Sequence, residues 1–325
     1  MIKYLNIKNI CMSFVLLGLG VFQACDDTIE PLKITGDTEN KVFVNMQNWA
    51  PTNAPQNSVF FDVTTAFTST FLTSSASEAK FEISARCTKP AGKDIIVAFE
   101  PDYSDVLSGY MPFPTGVEIQ LDKSELTISK GATISEDKIT VTVRSEHVSL
   151  FRQLGSYMAP IKMVSVQNAS ASDLTTIPII FDTKFTNIKG VGTTSSGTSI
   201  SKTGWSATGG TNPARLYDGT TTTSSYATIP YNTDIILDMA SVRTNISLIR
   251  FTYSATGYRM SSMEIYTRES SSEEWTFHGI AETATSNTNH YITFHEKVNA
   301  RYIKMVFLTG GNASAVRIVE LYVHQ

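Results

Sequence analysis

The chain has 325 residues, of which 42% are hydrophobic and 17% are charged, so it is long enough for two ordinary domains with packed cores. This composition excludes a chain that is mainly disordered, because enough apolar surface is available for burial. The formal net charge is -4, with both signs spread along the chain, which argues against nucleic acid as a partner.

The first 25 residues are predicted to be an export signal. Lys3 and Lys8 precede an apolar run over residues 10–22, which is too short for a comfortable transmembrane helix. The run ends near Cys25, and the Ala-Cys-Asp-Asp sequence there resembles a bacterial lipobox. This resemblance implies that Cys25 is lipidated and becomes the first mature residue. Phe and Gln stand where a lipobox usually has Leu and a small residue, so ordinary signal-peptidase cleavage is the alternative.

The segment after Cys25 carries further information about location. Its acidic residues are similar to the surface-export signal of Bacteroidetes-type lipoproteins, which implies a lipid anchor in the outer membrane and a position on the cell surface. Residues 26–40 are polar and lack periodicity, which predicts a tether. Cys87 is the one cysteine beyond residue 25, so the mature body has no disulfide, and we expect a buried small hydrophobe rather than a nucleophile.

Residues 41–184 are predicted to form an N-terminal β-sandwich. Short β-rich runs alternate there with clusters of Pro, Gly, Asp and Ser. In the runs VEIQL and ITVTV every second residue is apolar, which predicts strands that bury one face. The buried faces would be formed by Val117, Ile119 and Leu121 and by Ile139, Val141 and Val143. A helical turn is predicted only around residues 145–154, so the natural architecture is two packed sheets.

The N-terminal region also carries a family resemblance. LDKSELTISKGATISEDKITVTV and YMAPIKMVSVQ resemble the uncharacterised sandwich domain that is often found at the N-terminus of lipoproteins in polysaccharide-utilisation systems. The resemblance implies glycan capture by association only.

Residues 185–201 are predicted to be a linker, and residues 202–325 a second β-sandwich. Ten of the twelve residues in 190–201 are Gly, Ser or Thr, a composition typical of a linker or a long exposed loop. Short strands with turn signals between them follow, which suits a jelly roll. In these strands the residues predicted to point inward are Ile303, Met305 and Phe307, and then Val319, Leu321 and Val323. The fold class predicted for the whole chain is therefore all-β.

The second domain contains a series of family features in order. They are GWSA at Trp205, the Ala-Arg-Leu-Tyr-Asp-Gly stretch at 214–219, DIILDM with Asp238, ARYIK at 300–304 and ELYV at 320–323. Together they resemble the discoidin, or coagulation-factor C-type, family, which includes the family 32 carbohydrate-binding modules. The resemblance implies a discoidin-like jelly roll.

The resemblance implies a structural Ca²⁺ site. Related domains often hold Ca²⁺ between the Asp-Gly loop and the terminal Glu, because a hard cation prefers several oxygen ligands. Asp218, Thr223 and Glu320 stand at the matching positions, although Thr220 replaces the Asp or Asn that is common in the family. The alternative is that Asp218 caps a turn and Glu320 is a solvated strand residue.

A carbohydrate-binding site is also implied, in loops at one end of the sandwich. The corresponding loops are TIPYNTD, SATGYRM and LTGGNASAV, and the candidate residues are Tyr231, Tyr258, Arg259 and Asn312. Sugar sites usually combine an aromatic face with hydrogen-bonding side chains. The alternative is that Tyr258 packs on its own loop and Arg259 is a solvated charge. Trp205 and Trp275 match structural tryptophans of the family, and we expect them in the core or at its edge.

Catalytic motifs are missing from the sequence. There is no HExxH, no G-x-S-x-G and no glycine-rich phosphate loop, so no catalytic residues are assigned. We therefore expect a non-catalytic outer-membrane surface lipoprotein that binds glycan as part of polysaccharide capture and passes it to outer-membrane glycan transport proteins. One alternative is an adhesin that binds host protein or lipid. A second is a glycoside-active enzyme, since a carboxylate pair needs no sequence motif.

Overall fold

The structure is a computed structural model. It describes residues 39–44, 46, 55–74, 76–194, 196–284, 287–312 and 314–325. The export signal at 1–25, its Cys25, and all but the last two residues of the tether at 26–40 lie outside the described residues. Within the described ranges, no helix has the length and apolar character needed to cross a membrane.

The first domain is built almost entirely from short strands. They are β1 (Lys41–Val44), β2 (Val59–Thr65), β3 (Thr70–Leu72), β4 (Ala79–Ile83), β5 (Ala85–Cys87), β6 (Ile95–Pro101), β7 (Met111–Pro112), β8 (Gln120–Leu121), β9 (Glu125–Ile128), β10 (Ile139–Val143), β11 (Gly155–Gln167), β12 (Ser170–Ala171) and β13 (Thr176–Phe185). The helix α1 (Ser145–Val148) lies in the segment predicted to be a helical turn.

The strands of the first domain form one large sheet and two small ones. The large sheet has the order β3-β2-β13-β11-β6-β9, with β7 beside β11, and the small sheets are β12-β1-β5 and β4-β10-β8. Buried residues of all three sheets share a single hydrophobic cluster, which confirms a sandwich. Cys87 belongs to this cluster, and its thiol donates to the carbonyl of Lys89 at 3.0 Å, as expected of a structural cysteine.

Of the two alternating runs of this domain, ITVTV forms the predicted strand and VEIQL forms it only at its end. Ile139, Val141 and Val143 are all buried on β10, as predicted. Val117 and Ile119 are also buried, but only the end of VEIQL is a strand, β8. The reason is that the amides of Glu118 and Ile119 donate to side chains, the His147 ring and the Tyr103 hydroxyl, at 3.0 and 2.7 Å. These amides are satisfied without a neighbouring strand.

The second domain has eight strands in one continuous hydrogen-bonded sheet. They are β14 (Ile188–Gly192), β15 (Ser206–Thr208), β16 (Ala227–Pro230), β17 (Asp234–Tyr253), β18 (Met260–Arg268), β19 (Thr276–Glu282), β20 (Asn289–Gly310) and β21 (Ala315–His324). Short 3₁₀ helices span Pro213–Leu216 and Thr256–Tyr258. The order is β16-β21-β17-β20-β18-β19, with β14 on β20 and β15 on β17. Register shifts between β17 and β20 bend these long strands around their own core.

The segment predicted to be a linker, 185–201, differs from that expectation. Strand β14 lies inside it and pairs with β20, and Ile188 and Ile200 are both buried. Asn187 is fully buried against the second domain, where its side chain contacts His278 and exchanges hydrogen bonds with the backbone of Glu296 at 2.7 and 3.0 Å. Composition rich in Gly, Ser and Thr does not prevent backbone pairing, and the apolar residues anchor the segment to the second domain.

Strand β21 is covered on both faces. Val319, Leu321 and Val323 are buried as predicted, and so are Ile303, Met305 and Phe307 of β20. Alternation along β21 would turn the Glu320 side chain outward to solvent, but this side chain is fully buried. The alternative that Glu320 is a solvated strand residue is therefore wrong. Pairing with β16 and β17 closes only the edges of β21, and its second face is covered by the Lys202 side chain and the 3₁₀ helix Pro213–Leu216. This is the position at which a buried carboxylate needs a partner of its own.

Candidate binding site at the loop end of the second domain

Three loops of the second domain meet at one end of the sandwich. The Tyr231 hydroxyl donates to the carbonyl of Asn312 at 2.9 Å, and its amide donates to Ser314 at 3.3 Å. The amide of Gly311 donates to the carbonyl of Arg259 at 3.0 Å. The loops between β16 and β17, β17 and β18, and β20 and β21 are therefore joined by direct hydrogen bonds. Tyr231, Arg259 and Asn312 lie on these joined loops, and Tyr258 directly precedes Arg259.

Tyr231 and Asn312 hold the loops in place. Burial raises the pKa of Tyr231, and its hydroxyl is engaged with the backbone at Asn312. The side-chain oxygen of Asn312 accepts hydrogen bonds from the amide and hydroxyl of Ser314, at 3.0 and 3.1 Å. The Asn312 amide nitrogen makes no hydrogen bond to any described residue, so it remains a donor for a ligand.

Two glycines permit the close approach of these loops. A side chain at Gly310 would collide with the carbonyl of Arg259 and the hydroxyl of Tyr231. At Gly311 an added Cβ would lie 2.9 Å from the carbonyl of Gly257 and 3.1 Å from an Arg259 guanidinium nitrogen. The Gly-Gly pair in LTGGNASAV is needed because backbones approach here with no room for Cβ atoms.

Arg317 is a site residue that the sequence analysis did not assign. Its guanidinium lies 3.8 Å from the ring centroid of Tyr258 and 4.9 Å from that of Tyr226, between the two aromatic rings. The Arg317 Nε atom is buried without a hydrogen-bond partner among the described residues. Arg259 follows Tyr258 directly, and its guanidinium donates to the carbonyl of Thr256. The sequence offered one signal for Arg317. Alternation over the first residues of the last strand, AVRI, places this residue on the outward face.

Two guanidinium groups belong to the loop end of the domain. The stretches 219–233, 254–263 and 308–319 contain Arg259 and Arg317, and the carboxylic residues Asp218, Asp234, Glu264 and Glu320 directly flank them. Beside these loops lies a shallow hollow of about 440 Å³, lined by Ser261, Ser262, Glu282, Thr283, Ala284 and Thr309. Half-buried aromatic rings, two guanidinium groups and a rim of hydroxyl groups are the combination that binds sugars.

The predicted calcium ligands have a different arrangement. Glu320 is fully buried, and the ammonium of Lys202 forms an ion pair with its Oε1 atom. Asp218 binds Arg215 at 2.7 Å and the amide of Thr220 at 2.8 Å. Thr223 is exposed in a turn and makes no hydrogen bond to either carboxylate in the described part of the chain.

These residues do not fit a calcium ion. The ammonium of Lys202 repels a divalent cation at the Glu320 carboxylate, and the Asp218 oxygens are already engaged. The ranges that the structure describes contain no group of three or more His, Cys, Asp or Glu that could hold a metal ion. The arrangement of these side chains therefore differs from the Ca²⁺ ligand set that the family resemblance implies.

Comparison with known families identifies the second domain. Residues 193–321 match the family model of the F5/8 type C domain. The C-terminal domain is discoidin-like. A family model for an N-terminal domain matches residues 34–170. No protein with a curated description matches the chain.

Several solved structures are similar to the chain. A two-domain protein of unknown function from Bacteroides fragilis is 14% identical, covers 99% of this chain and 100% of its own, and has a TM-score of 0.49. A family 32 carbohydrate-binding module from C. perfringens, solved with galactose, is 18% identical over 39% of this chain and 98% of its own, with a TM-score of 0.34. The C-terminal domain of a Bacteroides fragilis chitobiase is 22% identical over 39% of this chain and 97% of its own, with a TM-score of 0.33.

The two tryptophans of the discoidin-like domain lie in different environments. Trp205 is buried, as predicted. Trp275 is partly exposed on the outer face, where the guanidinium of Arg268 lies 4.2 Å and the ammonium of Lys304 lies 5.1 Å from its ring centroid. These cations lie over the ring, so Trp275 forms cation–π contacts at the surface and is not a core residue.

Proposed function

We propose that this protein is a non-catalytic surface lipoprotein that binds glycan through the three loops of its discoidin-like domain, as part of polysaccharide capture. The observation that carries the proposal is the Arg317 guanidinium over the rings of Tyr226 and Tyr258, in a set of loops that also carries Arg259 and Asn312. The match to the F5/8 type C family supports it.

The chemistry of the site supports recognition of a sugar. An aromatic ring fixed by a stacked arginine presents a rigid apolar surface at low entropic cost, which suits the apolar side of a pyranose ring. Arg259 and Asn312 supply hydrogen-bond donors on the same loops. Because the ring faces and donors are already held in place by loop contacts, little ordering is required on binding.

The composition of the loops supports binding without hydrolysis. Glycoside hydrolysis requires a pair of carboxylic side chains that flank the scissile bond. The residues between the strands, 231–233, 254–259 and 311–314, contain no Asp or Glu, and Asp234 follows as the first residue of β17. Glu282 is the one carboxylic residue lining the adjacent hollow, so that hollow lacks the second carboxylic group that either hydrolytic mechanism requires.

The export signal supports the proposed location. A lipid on Cys25 would hold the chain at the outer membrane, and residues 26–40 would extend the first domain from the surface. In this arrangement the first domain is a spacer or a contact surface, and the neighbouring partners would be outer-membrane glycan transport proteins.

Affinity electrophoresis through gels that contain neutral or acidic polysaccharides tests the proposal. We expect the mature chain to be retained by at least one glycan, and Tyr258→Ala and Arg317→Ala to weaken retention by about tenfold or more, equivalent to about 1.4 kcal/mol. Tyr110→Ala, on the first domain, is the matched control and should bind as the wild type does.

Two results would replace the proposal with an alternative. If no glycan on the gels or on an array retains the protein and a host protein binds the same loops, the protein is an adhesin. If the glycan panel acquires new reducing ends and Glu282→Gln abolishes them, the protein is an enzyme.

A further inference from the structure

A carboxylate and an ammonium meet inside the discoidin-like domain, at residues 118 apart in sequence. Glu320 lies on β21 with its side chain fully buried, and the side chain of Lys202 is 17% exposed. An ionised carboxylate with no exposure is strongly destabilising unless a cation compensates it. The ammonium of Lys202 is that cation, in direct contact with Oε1 of Glu320, while Oε2 is buried without a hydrogen-bond partner in the described part of the chain.

Further contacts fix the ammonium in this position. Lys202 Nζ lies 3.7 Å from the ring centroid of Tyr322, so the cation is stabilised by an aromatic face as well as by the carboxylate. The amide of Trp205 donates to the carbonyl of Lys202 at 3.1 Å, which anchors the lysine backbone in the turn before β15. The side chain thus enters the domain from an anchored turn.

The surrounding charges are balanced without any added ion. Burial lowers the pKa of Lys202 and raises the pKa of Glu320, while each charge opposes the shift of the other. Asp218 acts electrostatically on both groups, but its own charge is paired with Arg215, and Arg250 adds a further positive charge that acts on Lys202. The two ion pairs and Arg250 leave no net negative charge, so a divalent cation would bring two uncompensated positive charges into the pocket.

We propose that the ammonium of Lys202 is the built-in cation of this pocket and takes the place that a metal ion holds in the domains that the sequence resembles. The domain then needs no Ca²⁺ to fold or to hold its Asp-Gly loop at 218–219. This inference is independent of the proposed function, because it concerns a pocket separate from the three loops.

The first experiment is thermal unfolding of the mature wild-type chain in EDTA, in millimolar CaCl₂ and in millimolar MgCl₂, together with its metal content after EDTA treatment. We expect the same Tm in all three conditions and no bound metal. A rise in Tm with Ca²⁺ that Glu320→Gln abolishes would overturn the proposal, since it would show that a metal displaces the ammonium.

The second experiment removes the ammonium. Lys202→Met leaves an uncompensated buried carboxylate, so we expect Tm to fall by roughly 10 °C. The double variant Lys202→Met/Glu320→Gln removes both charges and should recover most of that loss. The matched control is Lys138→Met, which breaks an ion pair with Glu82 whose side chains are 55% and 56% exposed, and which should change Tm little. An unchanged Tm in Lys202→Met would contradict the proposal.

The third experiment asks whether the two cations are interchangeable. Lys202→Ala opens space beside Glu320 and Asp218, so millimolar Ca²⁺ should raise its Tm, and Lys202→Ala/Glu320→Gln should show no such rise. If Ca²⁺ does not stabilise Lys202→Ala, the ammonium does not occupy a metal position. Should Lys202→Ala fail to fold without metal, refolding in Ca²⁺ but not in EDTA supports the proposal, and failure in both conditions contradicts it.

Discussion

The carboxylate of Glu296 in the second domain accepts two hydrogen bonds from Ser69 in the first, at 2.9 Å from its amide and 2.8 Å from its hydroxyl. The amide of Thr68 donates to the same oxygen at 2.8 Å. Burial alone would raise the pKa of Glu296, but these hydrogen bonds hold it below its usual value. The rings of Phe67 and Phe71 contact His278 and His295 edge to face, at 5.3 and 4.6 Å between centroids. A charged hydrogen-bond cluster therefore joins the two domains.

Substitution of Glu296 should loosen the contact between the domains. Hydrogen bonds to a charged acceptor each stabilise by about 1.5–3 kcal/mol, so Glu296→Ala should lower the free energy of unfolding by an amount on this order. Small-angle scattering should show a wider distribution of interdomain distances. Glu82→Ala, which breaks an exposed ion pair, is the control. Unchanged scattering and stability in Glu296→Ala would show that the cluster does not hold the domains together.

Acidic pH should destabilise the protein through His278. This residue is 1% exposed, and burial lowers its pKa to about 4. An unfolded histidine binds a proton near pH 6.5, so the contribution of neutral His278 is complete above that pH and is lost as the pH falls toward 4. The loss reaches on the order of 3 kcal/mol.

Urea unfolding at pH 7 and pH 5 measures this effect. We expect the fall in stability between these values to be smaller by about 2 kcal/mol in His278→Gln than in the wild type. His147→Gln in the first domain controls for the substitution. Equal pH dependence in wild type and His278→Gln would rule out His278 as the titrating group.

Alanine at position 310 should weaken glycan binding and preserve the fold. The added Cβ would collide with the carbonyl of Arg259 and the hydroxyl of Tyr231, which displaces two of the three loops. Retention in affinity gels should fall by about tenfold or more, with an unchanged circular-dichroism spectrum. Gly92→Ala is the control, because an added Cβ there meets no atom within 4 Å. Normal retention of Gly310→Ala would show that the loop contacts are not needed for binding.

The two tryptophans of the second domain should differ in their contribution to stability. Trp205 is buried, so Trp205→Ala should cost about 3–5 kcal/mol through loss of burial and creation of a cavity. Trp275→Ala loses contacts with Arg268 and Lys304 at a partly exposed site, so we expect about 1–2 kcal/mol. Urea denaturation of both variants provides the comparison. Equal losses would show that Trp275 acts as a core residue.

The sequence by itself determined the fold class and the buried faces of most strands. Alternation at Ile139, Val141 and Val143 is a local property of an extended chain, and the structure buries all three. The ordered family features from Trp205 onward determined the discoidin-like architecture and the loops of the candidate site. Local pattern failed in VEIQL, where distant His147 and Tyr103 side chains take the backbone hydrogen bonds of a strand.

Only the tertiary structure decided which side chains meet. The family motif identified Glu320 as a metal ligand, but the strand on which it lies is covered on both faces, and Lys202 reaches it from 118 residues away. Arg317 likewise became a site residue only because the fold brings Tyr226 and Tyr258 to either side of it. The periodicity of a sequence predicts on which face of its own strand a side chain lies. Which residue of another segment contacts that side chain depends on how the segments pack in the folded protein.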